Sequence, residues 1–171
     1  VRAWLRAAGA AMPSESRLRE IVRQALTAGV DKTPAVEWGR HCVRRYRGAL
    51  YLTERHLPNV GSDTIAWKGN AIPSLPYGAL GLTEVVGQGF ARKWLDTDSC
   101  ELRFRKGGEF TYVGDGSRKA SLKNLLQGWG VQPWLRHLLP LVYVDGELAV
   151  IAGRFTAARF RARPQEAGLV V

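Results

Sequence analysis

The chain has 171 residues, with 25 Lys and Arg against 15 Asp and Glu, and a formal charge of +10 at neutral pH. That length fits one ordinary domain or two small ones, and 46% apolar with 23% charged residues excludes a disordered chain. Nineteen of the basic residues are arginine and six are lysine, which puts polyanions first among partner classes, nucleic acid ahead of an acidic membrane surface, with compositional bias as the bland alternative.

Residues Val1 to Ala8 place Val1, Trp4, Leu5 and Ala8 on one helical face, which Gly9 ends. A second helix begins after Pro13-Ser14, with Ser14 as N-cap and Glu15 at the positive end of the dipole. Leu18, Ile21, Val22, Ala25 and Leu26 form its apolar stripe, and Gly29 stands where a C′ glycine belongs. Arg17, Arg19, Arg23 and Gln24 fall on the other faces, as on any solvated helix surface. After Pro34 the period changes to two. Residues 35–38, 41–46 and 49–53 read as three strands joined at Gly39-Arg40 and Arg47-Gly48. Cys42, Arg44 and Tyr46 alternate with Val43, Arg45 and Arg47, so no clean apolar face emerges. Such an arginine and aromatic meander suits an RNA-facing surface, although edge charges also prevent aggregation. The segment 58–62 (PNVGS) is the linker between domains over 1–57 and 63–171; the residues up to 56 carry +6 and the remainder +4.

The second half opens with a proline-marked region, Trp67 to Pro76, and then a strand region from Gly78 to Val86 in which Leu80, Leu82 and Glu84 alternate. Cys100 to Phe104 puts Leu102 and Phe104 on one face and Glu101, Arg103 and Arg105 on the other. Gly107-Gly108 either closes a two-residue hairpin, which would set Phe110 and Tyr112 against arginines, or belongs to a longer loop, the favoured reading. Ser121 caps a helix to Gln127 with Leu122, Leu125 and Leu126 inward. Pro133 starts another, with Trp134, Leu135, Leu138 and Leu139 buried and Pro140 as its stop. Leu141–Val144, Asp145-Gly146 and Glu147–Ala152 make the clearest hairpin, and Arg154 to Val171 reads as a last strand followed by a tail. The fold class is α+β: a helical pair with a β-meander, then a mixed antiparallel sheet with two short helices.

Catalytic signatures are missing. No P-loop, nucleophile elbow, H-E-x-x-H or G-x-G-x-x-G stands in the chain. Cys42 and Cys100 are isolated, His41, His56 and His137 are scattered, and Asp96 with Asp98 is too few ligands for a metal. No apolar run reaches the roughly 18 residues of a membrane span, and Arg6 interrupts the one signal-like stretch. What remains is a basic cluster around the Gly114–Gly116 loop: Arg103, Arg105, Lys106, Arg118, Lys119 and Lys123. If the helix begins slightly early, Lys119 and Lys123 share a face, and helix amides beside cations bind phosphate without base specificity. The order helix, turn, helix, hairpin over 121–152 also matches a winged-helix DNA-binding regulator, but the second helix offers only Arg136 and His137 as polar readers.

The run from Gly114 to Gly153 (GDGSRKASLKNLLQGWGVQPWLRHLLPLVYVDGELAVIAG) resembles the C-terminal domain of tRNA(Ile)-lysidine synthetase, with its glycine-basic loop, S-L-K-K-L-like helix, G-V-x-P-W-L-R and closing hairpin. LRFRKGGEF upstream is similar to that domain's opening R-F-R-P-G-G-E. LRAAGAAMPSESRLREI followed by VEWGRHCVRRYRGALYL resembles the middle, substrate-binding domain of the same enzymes. Lys106 replaces the usual proline, and Asn124 stands where a second lysine is common.

The resemblance implies an enzyme that uses ATP, with Mg, to adenylate the wobble cytidine of an isoleucine tRNA, after which lysine displaces AMP. The S-G-G-x-D-S loop for that chemistry is absent here. With Val1 first and Met12 the only methionine, the expectation is a piece of a longer cytoplasmic chain whose N-terminal domain is catalytic. This piece would itself be inactive, hold no cofactor or metal and touch no membrane, and a homodimer through surfaces that the N-terminal domain would cover stays open. Its role would be to hold tRNA, the acceptor stem by the C-terminal domain and the anticodon arm by the middle one. The expected RNA contacts are Arg103, Arg105, Lys106, Arg118, Lys119, Lys123 and Arg136, with Arg44, Arg45 and Arg47 in the first domain; Trp134 is expected in the core. A purely structural module is the remaining alternative.

Overall fold

The structure is a computed structural model that describes residues 1–27, 33–61, 63–69, 74–75, 77–97 and 99–171. Gly29, Ser62, Pro76 and Asp98, to which the sequence reading gave roles, lie outside the described residues. Two compact units divide the chain, Val1–Leu57 and Pro58–Val171.

In the first unit, α1 (Arg2–Ala7) and α2 (Glu15–Thr27) precede an antiparallel meander of β1 (Ala35–Trp38), β2 (His41–Tyr46) and β3 (Ala49–Glu54). Ser14 accepts the Arg17 amide through Oγ at 3.4 Å, a long but recognisable N-cap. Val36, Val43 and Leu52 stand opposite one another across the three strands. They pack with Leu50 against Leu5, Leu18 and Ile21. A clean apolar face therefore exists, contrary to the reading of β2 alone; it becomes visible only when the neighbouring strands supply their residues.

The α2 stripe is narrower than its sequence promised. Leu18 and Ile21 are buried, while Val22 is 42% and Leu26 79% exposed. At 3.6 residues per turn Leu26 sits about 140° around the helix from Ile21, beyond the reach of a three-stranded sheet. His41 serves structure: its Nε2 accepts the Ala11 amide at 3.2 Å, beside the Trp38 indole that donates to the Ala11 carbonyl at 2.7 Å.

The second unit begins with short strands, β4 (Ile65–Ala66), β5 (Ser74–Leu75), β6 (Gly78–Ala79), β7 (Thr83–Val86) and β8 (Phe90–Ala91). The strand expected over Gly78–Val86 is thus two pieces, parted where Leu80 turns into the core. Then come β9 (Cys100–Arg103), β10 (Phe110–Val113), β11 (Arg118–Ser121), α3 (Leu122–Gly128), β12 (Leu141–Val144), β13 (Glu147–Ile151), β14 (Phe155–Thr156) and β15 (Ala167–Val170). A five-stranded antiparallel sheet runs β14-β13-β12-β9-β4. One face carries Cys100, Leu102, Val142, Val144 and Val150 into a core with Trp67, Phe90 and Phe160. The other carries Leu141, Tyr143, Leu148 and Ile151 against Leu122 and Leu126 of α3.

β9 pairs with β4 and β12, never with β10, so Gly107-Gly108 closes no two-residue hairpin and lies in a longer connection, the favoured reading. Three other expectations are corrected. Pro133 begins one 3-10 turn, Pro133–Leu135, rather than a helix to residue 139. Trp134 is accordingly half-buried, not core, and a winged-helix reading helix is excluded. The C-terminal segment is no tail: β15 is the middle strand of the sheet β7-β15-β8. Gly168 is needed there, because a Cβ would lie 2.0 Å from the Gln88 carbonyl oxygen.

Candidate nucleic-acid interface

β10 and β11 form a hairpin with Phe110 opposite Ser121, Thr111 opposite Ala120, Tyr112 opposite Lys119 and Val113 opposite Arg118. Side chains alternate across a strand, so Thr111 and Val113 turn inward and are buried. Thr111 Oγ1 donates to the Leu148 carbonyl at 2.8 Å, tying the hairpin to β13. Phe110, Tyr112, Lys119 and Ser121 share the opposite face. Phe110 is 42% exposed, its ring meets Tyr112 edge-on with centroids 6.1 Å apart, and Lys119 Nζ lies 3.6 Å from its centre.

The Gly114–Gly116 loop is the turn of this hairpin and does not lead into the helix. Asp115 fills it: its Oδ1 accepts the Ser117 amide at 3.0 Å and the Ser117 hydroxyl at 2.6 Å, which holds its carboxyl below the usual value. A carboxylate already seated on these donors repels phosphate. Lys119 therefore stands on a strand and Lys123 in the first turn of α3, not on one helix face. The amides of α3 are partly used as well. Leu122 donates to the Glu109 carbonyl at 2.9 Å and Asn124 to the Ser121 cap at 3.3 Å, so the helix-terminus phosphate site is not formed.

The cations of this region fall into two kinds. Arg103 pairs with Glu101 and lies 4.4 Å over the Tyr143 ring. Arg105 faces Glu109 at 3.7 Å, and Glu109 also accepts the amides of Lys106 and Gly107. The arginine–glycine–glutamate pattern at 103–109 thus builds its own loop. Arg136 spends Nε on the Val131 carbonyl at 2.9 Å, just past the end of α3. Lys106, Arg118, Lys119 and Lys123 are exposed and have no ion-pair partner among the described residues.

In the first unit Arg44 and Arg45 are half-buried, and Arg44 Nε donates to Thr53 Oγ1 at 3.1 Å. Arg47 is exposed with its guanidinium 5.5 Å from the Tyr46 ring centre. Phe110 and Tyr112, which the sequence reading does not name among the RNA contacts, share the Lys119 face; the signal for that is their alternation with Thr111 and Val113 beside a basic strand. Nucleophilic chemistry finds no support in the thiols. Burial pushes Cys42 up and Cys100 to about 11, away from the reactive thiolate. Among the described residues no group of three His, Cys, Asp or Glu could hold a metal, and no helix is long and apolar enough to cross a membrane.

Comparison with known proteins separates the two units in the same order. Residues 1–51 match the family described as TilS substrate binding domain, and residues 100–171 match TilS substrate C-terminal domain. The tRNA(Ile)-lysidine synthase of Legionella pneumophila (strain Lens) is 33% identical over 98% of this chain and 38% of its own length. That of Salmonella choleraesuis (strain SC-B67) is 32% identical over 97% of the chain and 38% of its own length. The Methylococcus capsulatus protein of the same name is 29% identical over the whole chain and 39% of its own length. The chain spans well under half the length of these relatives, and by its two domain matches and by relatives that match along almost all of it, it belongs to the tRNA(Ile)-lysidine synthetase family.

Proposed function

We propose that this chain is the tRNA-gripping portion of a lysidine-forming ligase. The observation that carries the reading is the set of exposed cations Lys106, Arg118, Lys119 and Lys123, which have no ion-pair partner among the described residues and lie on the 103–109 loop, β11 and the first turn of α3. A backbone-directed surface of this kind holds an A-form helix through phosphate and 2′-OH contacts, with no reading of base edges inside the duplex. The second unit, residues 63–171 in its functional extent, takes the acceptor stem of an isoleucine tRNA. The first, residues 1–57, helps place the anticodon arm, with Arg44, Arg45 and Arg47 as its contacts.

Arg103, Arg105 and Arg136 act on the RNA at one remove. Arg103 and Arg105 fix the 103–109 loop that carries Lys106, and Arg136 fixes the segment after α3; all three supply positive potential rather than direct phosphate bonds. Adenylation of the wobble cytidine, attack by lysine and the ATP and Mg they require belong to other residues of a longer cytoplasmic protein. The S-G-G-x-D-S loop is not in these 171 residues, so no residue here is assigned to ATP, and this portion alone is catalytically silent.

Competition binding tests the reading. Labelled tRNA bound to the 171-residue chain should be displaced by unlabelled tRNA at far lower concentration than by duplex DNA, and binding should weaken steeply with salt. Equal displacement by duplex DNA would identify a DNA-binding module instead, and salt-independent or absent RNA affinity would leave a structural one.

A further inference from the structure

Beside the cations lies a groove of about 340 Å³ walled by Phe110, Tyr112 and Tyr143, with Glu109, Asp145 and Glu147 as its acidic lining. Its aromatic and charged parts are arranged for different portions of one ligand. Phe110 and Tyr112 meet edge-on at 85°, so a flat ring stacked on one touches the edge of the other. The Lys119 ammonium covers one face of Phe110 from outside the groove lining, so a base stacks on the groove side of the ring and its phosphate reaches the charge beside it. Inside the groove the carboxylates repel phosphate, yet they accept from amino groups on a base edge.

Glu147 is engaged by Arg159 at 2.6 Å and Glu109 by Arg105 and the Gly107 amide. Asp145, exposed and with no ion-pair partner among the described residues, is the carboxylate most open to a ligand. A duplex cannot use such a groove, because its bases are stacked within the helix; an unpaired base can.

We propose that this groove takes the base of an unpaired nucleotide adjoining the bound stem, stacked on Phe110 and Tyr112. Its phosphate lies on Lys119, and Asp145 favours amino-bearing adenine or cytosine over uracil. The inference rests on the RNA-binding reading above and adds to it a single-stranded subsite that the cation surface alone does not predict.

The test uses the 171-residue chain and a fluorescent RNA hairpin, either blunt or carrying an overhang of about four adenines, cytosines or uracils. The readout is the ratio of overhang to blunt affinity, taken for each protein variant. Adenine and cytosine overhangs should tighten binding by about five- to a hundred-fold, and uracil by less. Phe110→Ala should abolish that ratio and Phe110→Trp should retain it, with thermal melts showing both variants folded. Asp145→Asn should narrow the difference between cytosine and uracil. A ratio near one in the natural chain, or one that survives Phe110→Ala, overturns the groove while the RNA reading stands. Failure to bind blunt and tailed hairpins alike overturns the RNA reading itself.

Discussion

Two antiparallel hairpins of the second unit, β10–β11 and β12–β13, have nearly equal strand lengths and do opposite things. Every residue of β12 is buried and so are four of the five in β13, because cores lie on both faces of their sheet. β10 and β11 bury only one face, through Thr111 and Val113, and present Phe110, Tyr112 and Lys119 on the other. A strand covered on both sides reads as a continuous apolar run, and one with a wet face alternates. The alternating hairpin is the one with side chains to spare for a ligand. The largest effect expected from breaking this contrast is on stability. Leu148→Ala empties a site that is 2% exposed and should cost about 2–5 kcal/mol, whereas Phe110→Ala should cost about 1 kcal/mol or less. Urea denaturation measures both; comparable losses would mean that Phe110 is a core residue and not a free platform.

Binding should show the reverse order. If Lys119 and Lys123 each neutralise one phosphate, the double variant Lys119→Ala/Lys123→Ala should flatten the dependence of log affinity on log salt by about one to two units. Leu148→Ala, measured where it is folded, should leave that slope alone. Filter-binding titrations across a salt series decide the matter, and an unchanged slope in the lysine variant removes both residues from the interface.

Much of this contrast was legible in the amino-acid sequence. Asp145-Gly146 marks its hairpin because both turn residues take positive φ, 51° and 77°, a demand that Asp-Gly meets at little cost. The β1–β3 meander and the Ser121 cap were equally plain, since each rests on neighbours in the chain. What stayed hidden depends on distant partners. Nothing local says that β9 pairs with β12, nearly forty residues on, rather than with β10, so a hairpin at Gly107-Gly108 stands beside the favoured longer loop among the readings. Pro133 and the Trp134, Leu135 and Leu138 spacing predict a helix, but the connection is held short and irregular, with the Leu138 carbonyl accepting from the Tyr77 hydroxyl of another segment. At the site, sequence supplied the cations but not their state. Arg103 and Arg105 look identical to Arg118 until Glu101 and Glu109 are seen to occupy them.

The two hairpin turns offer the smallest and sharpest test. The Gly114–Gly116 loop lies at the centre of the basic cluster for which the sequence suggested a phosphate site, and the structure gives the Ser117 amide and hydroxyl to Asp115. The Ser117 hydroxyl is the first cause of that carboxyl's lowered value and the Ser117 amide the second. A carboxylate with a depressed folded value stabilises the fold above its unfolded value, and that contribution is lost as pH falls through the folded value. The Asp115 side chain is solvent-exposed, so the energetic effect is small and the titration itself is the better readout. Carboxyl NMR should place the Asp115 midpoint below the ordinary range. Ser117→Ala removes the hydroxyl but keeps the amide, and should move the midpoint part of the way back. If the turn were instead a phosphate site, adding inorganic phosphate at neutral pH would shift the Gly116 and Ser117 amide signals, and Asp115→Asn would strengthen that shift. With the donors already held by Asp115, phosphate should leave those signals where they are, and the proposed RNA contacts stay with the cations of β11 and α3 rather than with this turn.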